Sequence, residues 1–274
     1  MLKQRVLTAM ALAALFLCLL LFSPWYIFVL FVGVVMCMAA WEWAALAGWQ
    51  TRGARLAYLL LTAVLGVAVA WYLIWTADYD RVRTALVIAC GWWALALLWV
   101  QGYPASAVLW GKPVVRGIMG WLVLLPAWGG VVFLRSEPAG AILILLAVLI
   151  VACADIGAYF FGRALGKHKL APVVSPGKSW EGVFGGLATA SLVALLLNAV
   201  WGQGNWLLVL AIVVPTALVS VLGDLFESMI KRYCGVKDSG QVLPGHGGIL
   251  DRVDGLAAAI PVFALAVILT GWQL

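Results

Sequence analysis

The chain has 274 residues, of which 66% are hydrophobic and only 10% charged, with a formal net charge of +6 and a mean hydropathy of +1.10. Soluble domains are about half apolar and about a quarter charged, so a water-soluble enzyme of this size is excluded. The 10 Pro and 5 Cys follow no repeating frame, which also excludes collagen-like and disulfide-stapled chains.

A membrane-crossing helix takes roughly 20 mainly apolar residues. That measure predicts about nine of them, near 6–22, 25–48, 57–76, 84–100, 118–134, 139–162, 183–201, 206–230 and 256–273. The expected fold is an all-α polytopic integral membrane protein, one domain over 1–274, with cytosolic catalytic loops. Residues 1–150 read as a helical scaffold and 151–274 as the catalytic half. Lys3 and Arg5 precede the first apolar run as in a signal peptide. However, Ser23-Pro24-Trp25 follows it without a small-x-small cleavage site, so the run reads as a retained helix.

With nine helices, the N-terminus and the loops near 49–56, 101–117, 163–182 and 231–255 share one side and carry 14 of the 17 Lys and Arg residues. Only Arg81, Arg83 and Arg135 fall on the other. Positive loops stay in the cytosol, which places the N-terminus and catalytic loops there, in a bacterial-type inner membrane. The same bias accounts for the net charge without a nucleic-acid partner, and no dense basic patch with interleaved aromatics is present. The cysteines show no metal spacing and read as small hydrophobes, with Cys234 in a reduced cytosolic loop. Tryptophans near span ends, such as Trp25, Trp49 and Trp206, fit interfacial belts.

Seven of the 11 acids and eight of the 17 bases lie between 151 and 254. An ionisable group deep in a span costs about 2.5–3.5 kcal/mol on insertion scales, so each acid there asks for a reason. Asp155 and Asp224 fall at similar depth near the inner interface. Asp224, Glu227, Ser228 and Lys231 share one helical face, as do Asp155, Tyr159 and Gly162. These acids either serve a site or pair with nearby cations as interhelical glue. Glu42, alone on its helix, has a structural partner or a substrate to contact.

The loop from Gly162 to Gly182 is basic and hydroxyl-bearing, with Lys167, Lys169, Ser175, Lys178 and Ser179 suited to a triphosphate or a lipid headgroup. Gly177-Lys178-Ser179 ends like a P-loop. That motif needs Gly where Pro172 stands, and no strand is expected before it, so a P-loop is rejected. The densest stretch is 228–254. Its glycines at 235, 240, 245, 247 and 248 permit tight turns that turn N–H groups toward an anion. Lys231, Arg232, Lys237 and Arg252 add cationic donors suited to phosphate. Asp251 and Asp254 put two carboxylates on one helical face, the hard oxygen ligands that Mg²⁺–nucleotide chemistry uses. His168, flanked by lysines, reads as a solvated loop residue, and His246, between glycines, as part of a site. Two histidines and unpaired cysteines cannot build a zinc site.

At these residues the chain resembles the phosphatidate cytidylyltransferase, or CDP-diacylglycerol synthase, family. The resemblance rests on Ser228, Lys231-Arg232, Lys237-Asp238, His246-Gly247-Gly248, Asp251-Arg252 and Asp254. Upstream it includes Asp155, Tyr159, Gly166-Lys167, Ser175-Pro176, Lys178, Glu181-Gly182 and Gly223-Asp224, and it is close over about 150–255. It implies the reaction CTP + phosphatidate → CDP-diacylglycerol + pyrophosphate at a membrane lipid surface. The catalytic set would be Asp224, Asp251, Asp254, Lys237, Asp238, His246 and Arg252. Lys167, Ser175, Lys178, Ser179, Glu181, Ser228, Lys231, Arg232, Gly247, Gly248 and Tyr159 would bind substrate. Mg²⁺ would sit on Asp224 and Asp251 with Asp254 and Asp155 close by, beside a second cation such as K⁺ or another Mg²⁺. The resemblance alone suggests a homodimer.

Three rivals fit less well. A CDP-alcohol phosphotransferase would start at Asp254-Gly255, but Ala259 stands where it needs Arg. A lipid phosphatase would want a second catalytic His and an Arg-Pro motif. A cation-coupled transporter would place its acids near mid-membrane.

Overall fold

The computed structural model describes residues 2–76, 78–201, 205–240, 242 and 247–272. In chain order the elements are α1 (Leu2–Phe22), α2 (Trp25–Ala47), α3 (Arg52–Thr76), α4 (Tyr79–Gln101), the one-turn α5 (Ala107–Trp110), α6 (Pro113–Ser136) and α7 (Gly140–Leu165). Strands β1 (Lys169–Ala171) and β2 (Ser175–Ser179) follow, then α8 (Trp180–Trp201), α9 (Trp206–Tyr233) and α10 (Leu250–Thr270). Among the described residues eight helices are long and apolar enough to cross a membrane, and α1 adds a shorter apolar stretch, Met10–Phe22. The all-α polytopic architecture expected from hydropathy is therefore present. In a bilayer each span must satisfy its own backbone, which leaves helices as the available element for such runs.

The bundle is ordered by burial. Two-thirds of the α6 span is buried but only 17% of the α3 span, so α6 is central and α3 peripheral. α2 and α10 both pack on α6, α9 packs along α10, and α7 along α8. One core cluster gathers Trp43, Trp93, Phe226, Met229 and Leu250, and a second gathers Phe28, Leu134, Ile212 and Phe263. Trp43 stacks on Phe226 with ring centroids 6.3 Å apart.

Hydrocarbon offers no hydrophobic drive between helices, so close approach depends on small residues. A Cβ on Gly186 of α8 would stand 2.5 Å from the Ala154 carbonyl oxygen of α7. A Cβ on Gly223 of α9 would collide with the Asp254 carbonyl oxygen of α10 and stand 2.8 Å from the Ala258 Cβ. The second contact lets the acids at the ends of α9 and α10 approach one another.

The stretch 162–182, expected as a loop, contains a small hairpin in which β1 pairs antiparallel with β2, Lys169 opposite Ser179 and Ala171 opposite Ser175. Pairing satisfies backbone groups that the turn at 172–174 would otherwise leave to solvent. Cys234 also differs from a simple loop thiol. It forms the C-cap of α9, donates to the Leu46 carbonyl at 3.1 Å and lies 3.2 Å from Arg116 Nη1. Burial pushes its thiol pKa up, against the pull of the Arg116 guanidinium. Arg116 donates to the Leu46 carbonyl at 2.6 Å, placing a cation at the C-terminus of α2, where the helix dipole favours it.

Replacing Gly186 with Val should separate α7 from α8 and destabilise the bundle by about 1–3 kcal/mol, the usual range for overpacking. Thermal unfolding in detergent would check this, and an unchanged transition would contradict the close-packing account.

Candidate active site

The acids and lysines of the second half converge on one end of the bundle in two adjoining groups. In the first, α7 contributes Asp155 and Tyr159, β2 contributes Lys178, and α9 contributes Asp224. They line a cavity of about 430 Å³ together with Arg163 and Ser179. Lys178 Nζ lies 2.6 Å from Asp224 Oδ2, and Ser228 Oγ donates to Asp224 Oδ1 at 3.2 Å. Asp155 is exposed to the cavity and feels both Lys178 and Asp224. Tyr159 accepts from Arg163 Nη1 at 2.9 Å through its hydroxyl.

The second group is centred on Asp251 in the first turn of α10. Its Oδ1 accepts from Lys231 Nζ at 2.6 Å, and its Oδ2 accepts from Gly248 N at 2.8 Å and from Ser239 N and Oγ at 3.0 Å each. Gly247 has φ +83°, a conformation that L-residues rarely adopt, and its open α-carbon faces Asp251. Lys231 Nζ also lies 3.2 Å from Glu227 Oε1. Glu227 is 2% exposed, yet neither of its carboxyl oxygens has a hydrogen-bond partner. Asp254 stands beside Glu227 and within the field of Asp224, while accepting from its neighbour Gly255 N at 2.7 Å.

Glu42 has a structural partner, the alternative that its sequence context left open. It is 1% exposed, accepts from Ile249 N at 3.0 Å and Leu250 N at 2.9 Å, and lies 3.0 Å from Ser239 Oγ, for whose single hydroxyl proton it competes with Asp251. It therefore caps the N-terminus of α10 from α2, where a carboxylate suits both the orphan N–H groups and the helix dipole. Gly240 and Gly248 both crowd the Glu42 carboxylate, and neither has room for a side chain. The site thus draws on the first half of the chain as well as the second.

Several residues expected to touch substrate also make contacts that hold the frame. Ser179 is buried and accepts from Gly182 N at 3.2 Å, capping α8. Glu181 accepts from Lys167 N at 3.1 Å and from His168 N at 3.2 Å, with His168 Nδ1 2.6 Å from its Oε1. Arg232 Nε donates to the Val174 carbonyl at 3.2 Å and ties the hairpin to α9. Ser175 opens β2, half-buried, and Lys167 is exposed at the opposite end of the hairpin, next to Glu181. Lys237 and Asp238 are exposed on the segment after α9, with Asp238 against Gly247. Arg252 is exposed and lies on the side of α10 away from Asp251 and Asp254, lining an apolar cavity. His246 lies outside the described residues.

For a metal, no three His, Cys, Asp or Glu side chains form a ready cage among the described residues. Lysine amines face Asp224 and Asp251. The donor chemistry nevertheless fits a hard divalent cation. Carboxylates at 155, 224, 227, 251 and 254 crowd one end of the bundle, and the buried Glu227 carboxylate has the Lys231 ammonium 3.2 Å from its Oε1 but no hydrogen bond of good geometry. Buried carboxylates that face one another need cationic charge between or beside them.

Residues 3–270 match the Cytidylyltransferase family. The chain is 47% identical over 274 residues to the phosphatidate cytidylyltransferase of Pseudomonas aeruginosa, with 99% of each chain covered. It is 44% identical over 285 aligned residues to that of Haemophilus influenzae, covering 96% of this chain and 98% of the relative. Against that of Brucella suis the identity is 35% over 281 aligned residues, covering 96% and 92%. The chain belongs to the cytidylyltransferase family.

Glu42→Gln would turn an amide N–H toward backbone donors and leave at least one of them unsatisfied, at a cost of about 1–3 kcal/mol. The expected result is a lower unfolding midpoint in detergent and faster protease cleavage between residues 235 and 249. Wild-type stability and protection in this variant would remove Glu42 from the frame of the site.

Proposed function

We propose that this chain transfers the cytidylyl group of CTP to phosphatidate, giving CDP-diacylglycerol and pyrophosphate. The observation that carries this reading is the cavity into which Asp155, Lys178 and Asp224 bring charge at the end of apolar helices α7 and α9. A lipid phosphate and a water-soluble triphosphate can meet at that depth. Full-length identity of 44–47% to proteins named phosphatidate cytidylyltransferase supports the substrate pair.

The chemistry asks little covalent work of the protein. The nucleophile is the phosphate of phosphatidate, a monoester that is ionised near neutral pH, so no activated Ser or Cys is needed. A lipid phosphate oxygen forms the new bond to the α-phosphorus, and the bond from that phosphorus to the bridging oxygen of pyrophosphate breaks. The protein supplies positioning and charge stabilisation. Lys178, on a hairpin that Arg232 ties down, is placed to donate to phosphate oxygens entering beside Asp224. Lys231 holds Asp251 in register, and Asp251 in turn fixes Ser239 and Gly248, whose neighbourhood offers backbone N–H groups to an anion. Mg²⁺, held by Asp224 and Asp251 with Asp254 and Asp155 near, would neutralise charge on the triphosphate, with a second cation such as K⁺ alongside. The positive-inside bias supports a cytosolic orientation of this end in a bacterial inner membrane.

Purified protein given CTP, phosphatidate and Mg²⁺ should release pyrophosphate and lose that activity on chelation. Asp224→Asn and Asp251→Asn should each reduce turnover by at least about a hundredfold, the scale of losing a preorganised charge contact. Release of no pyrophosphate by the wild type would overturn the reaction, and near wild-type turnover in either variant would overturn the role of that acid. For orientation, Gly177 has open space around it. Gly177→Cys in a cysteine-free background should react with an impermeant maleimide in inverted vesicles but not in intact cells, and the reverse pattern would invert the topology.

A further inference from the structure

Helix α10 has two chemically opposite faces. Asp251, Asp254 and Ala258 turn toward α9, where Gly223 meets the Asp254 carbonyl. On the other side Arg252, Val253, Leu256 and Ile260 line a cavity of about 270 Å³ closed by α1, α2, α6 and α7. Among the described residues of its wall Arg252 is the one that carries charge, and the rest are apolar. Leu12 and Arg252, both exposed, bring the cavity to the surface.

Depth and chemistry define what fits. Eleven helical steps from Ile249 to Ile260 span about 16 Å, and Phe28 to Ala39 on α2 flank the same space over an equal number of steps. Glu42 of α2 stands level with Leu250 of α10, so the lining reaches about 21 Å from that level to Phe28, roughly two-thirds of a hydrocarbon core. A wall of carbon does not hold water, and left empty it would deprive its side chains of dispersion partners. A guanidinium at the mouth matches a phosphate through its planar fork of donors. An apolar shaft with an arginine at its polar end is complementary to an anionic phospholipid. Arg252 follows Asp251 directly, so a phosphate held by it lies at the N-terminus of α10, where the catalytic acids also stand.

We propose that this cavity receives an acyl chain of phosphatidate while Arg252 engages its phosphate, so that lipid and nucleotide approach the N-terminus of α10 from opposite faces. The proposal rests on the cytidylyltransferase reading for the identity of the lipid, though the location of the chain is independent of turnover.

Phosphatidate carrying a diazirine in one acyl chain, photolysed with the intact protein in detergent micelles without CTP, should label α2 between Phe31 and Ala39 and α10 between Val253 and Ile260. Excess unlabelled phosphatidate should suppress those adducts and equal phosphatidylglycerol should not. Adducts confined to the Tyr159 side of the molecule, or equal suppression by both lipids, would overturn the proposal. As a second measurement, Leu256→Trp should raise the ratio of KM for dioleoyl- over dihexanoyl-phosphatidate by at least about tenfold, and an unchanged ratio would count against the cavity. If wild-type protein releases no pyrophosphate, the reaction reading fails while the crosslinking map still decides the cavity.

Discussion

The organising constraint is that Asp251 must be neutralised where α10 begins. It takes its cation from Lys231 on α9 and its hydrogen bonds from Ser239 and Gly248 in the segment between the two helices. One carboxylate therefore joins the end of α9, Ser239 and Gly248 to the start of α10. Charge-assisted bonds of this kind are short and about twice as strong as neutral ones. They are also demanding, since a buried carboxylate that loses one partner leaves the others mispaired. The glycines around it follow from the same demand, because the backbone has to come within hydrogen-bonding reach of two carboxylates, Asp251 and Glu42, at once.

Glu42 carries that constraint across the bundle. By capping α10 from α2 it fixes the catalytic helix to the first half of the chain, and Arg116 secures the other side of that joint by donating to Leu46 at the end of α2. The buried ion pairs add little net stability once desolvation is counted. What they supply is registry between α2, α9 and α10, which apolar packing with lipid as solvent specifies poorly.

Apolar run length was enough to read the helices, because a bilayer leaves few other options for such segments. The grouping of Asp155 with Asp224, and of Lys231 with Asp251 in the signature stretch, was also legible. Helical spacing puts Asp224, Glu227 and Lys231 on one face, and the resemblance supplied the rest. Three features were not legible. The hairpin at 169–179 is too short for alternation to register. The partners that Ser179 and Glu181 hold in the frame, backbone N–H groups and His168 Nδ1, were also out of reach, because residue type alone does not announce a cap. The cap on α10 comes from a residue 208 positions earlier in sequence than its partner Leu250, a pairing that local pattern cannot reach. Glu42 was visible only as an acid whose cost required some partner.

The two faces of α10 bear on how such a site handles substrates of opposite solubility. A nucleotide triphosphate needs fixed cationic donors and water at the entrance, and a lipid tail needs carbon. Sharing one helix between them places the junction at its N-terminus, where Arg252 and Asp251 stand side by side. The carboxylates on the α9 face would repel an approaching phosphate unless a cation or a lysine screened them, and Lys178 and Lys231 already lie 2.6 Å from Asp224 and Asp251. A phosphate arriving beside Arg252 avoids that repulsion until it reaches the helix end. In that arrangement the separation of charges around one helix sets the order of encounter between lipid phosphate, lysine and acid.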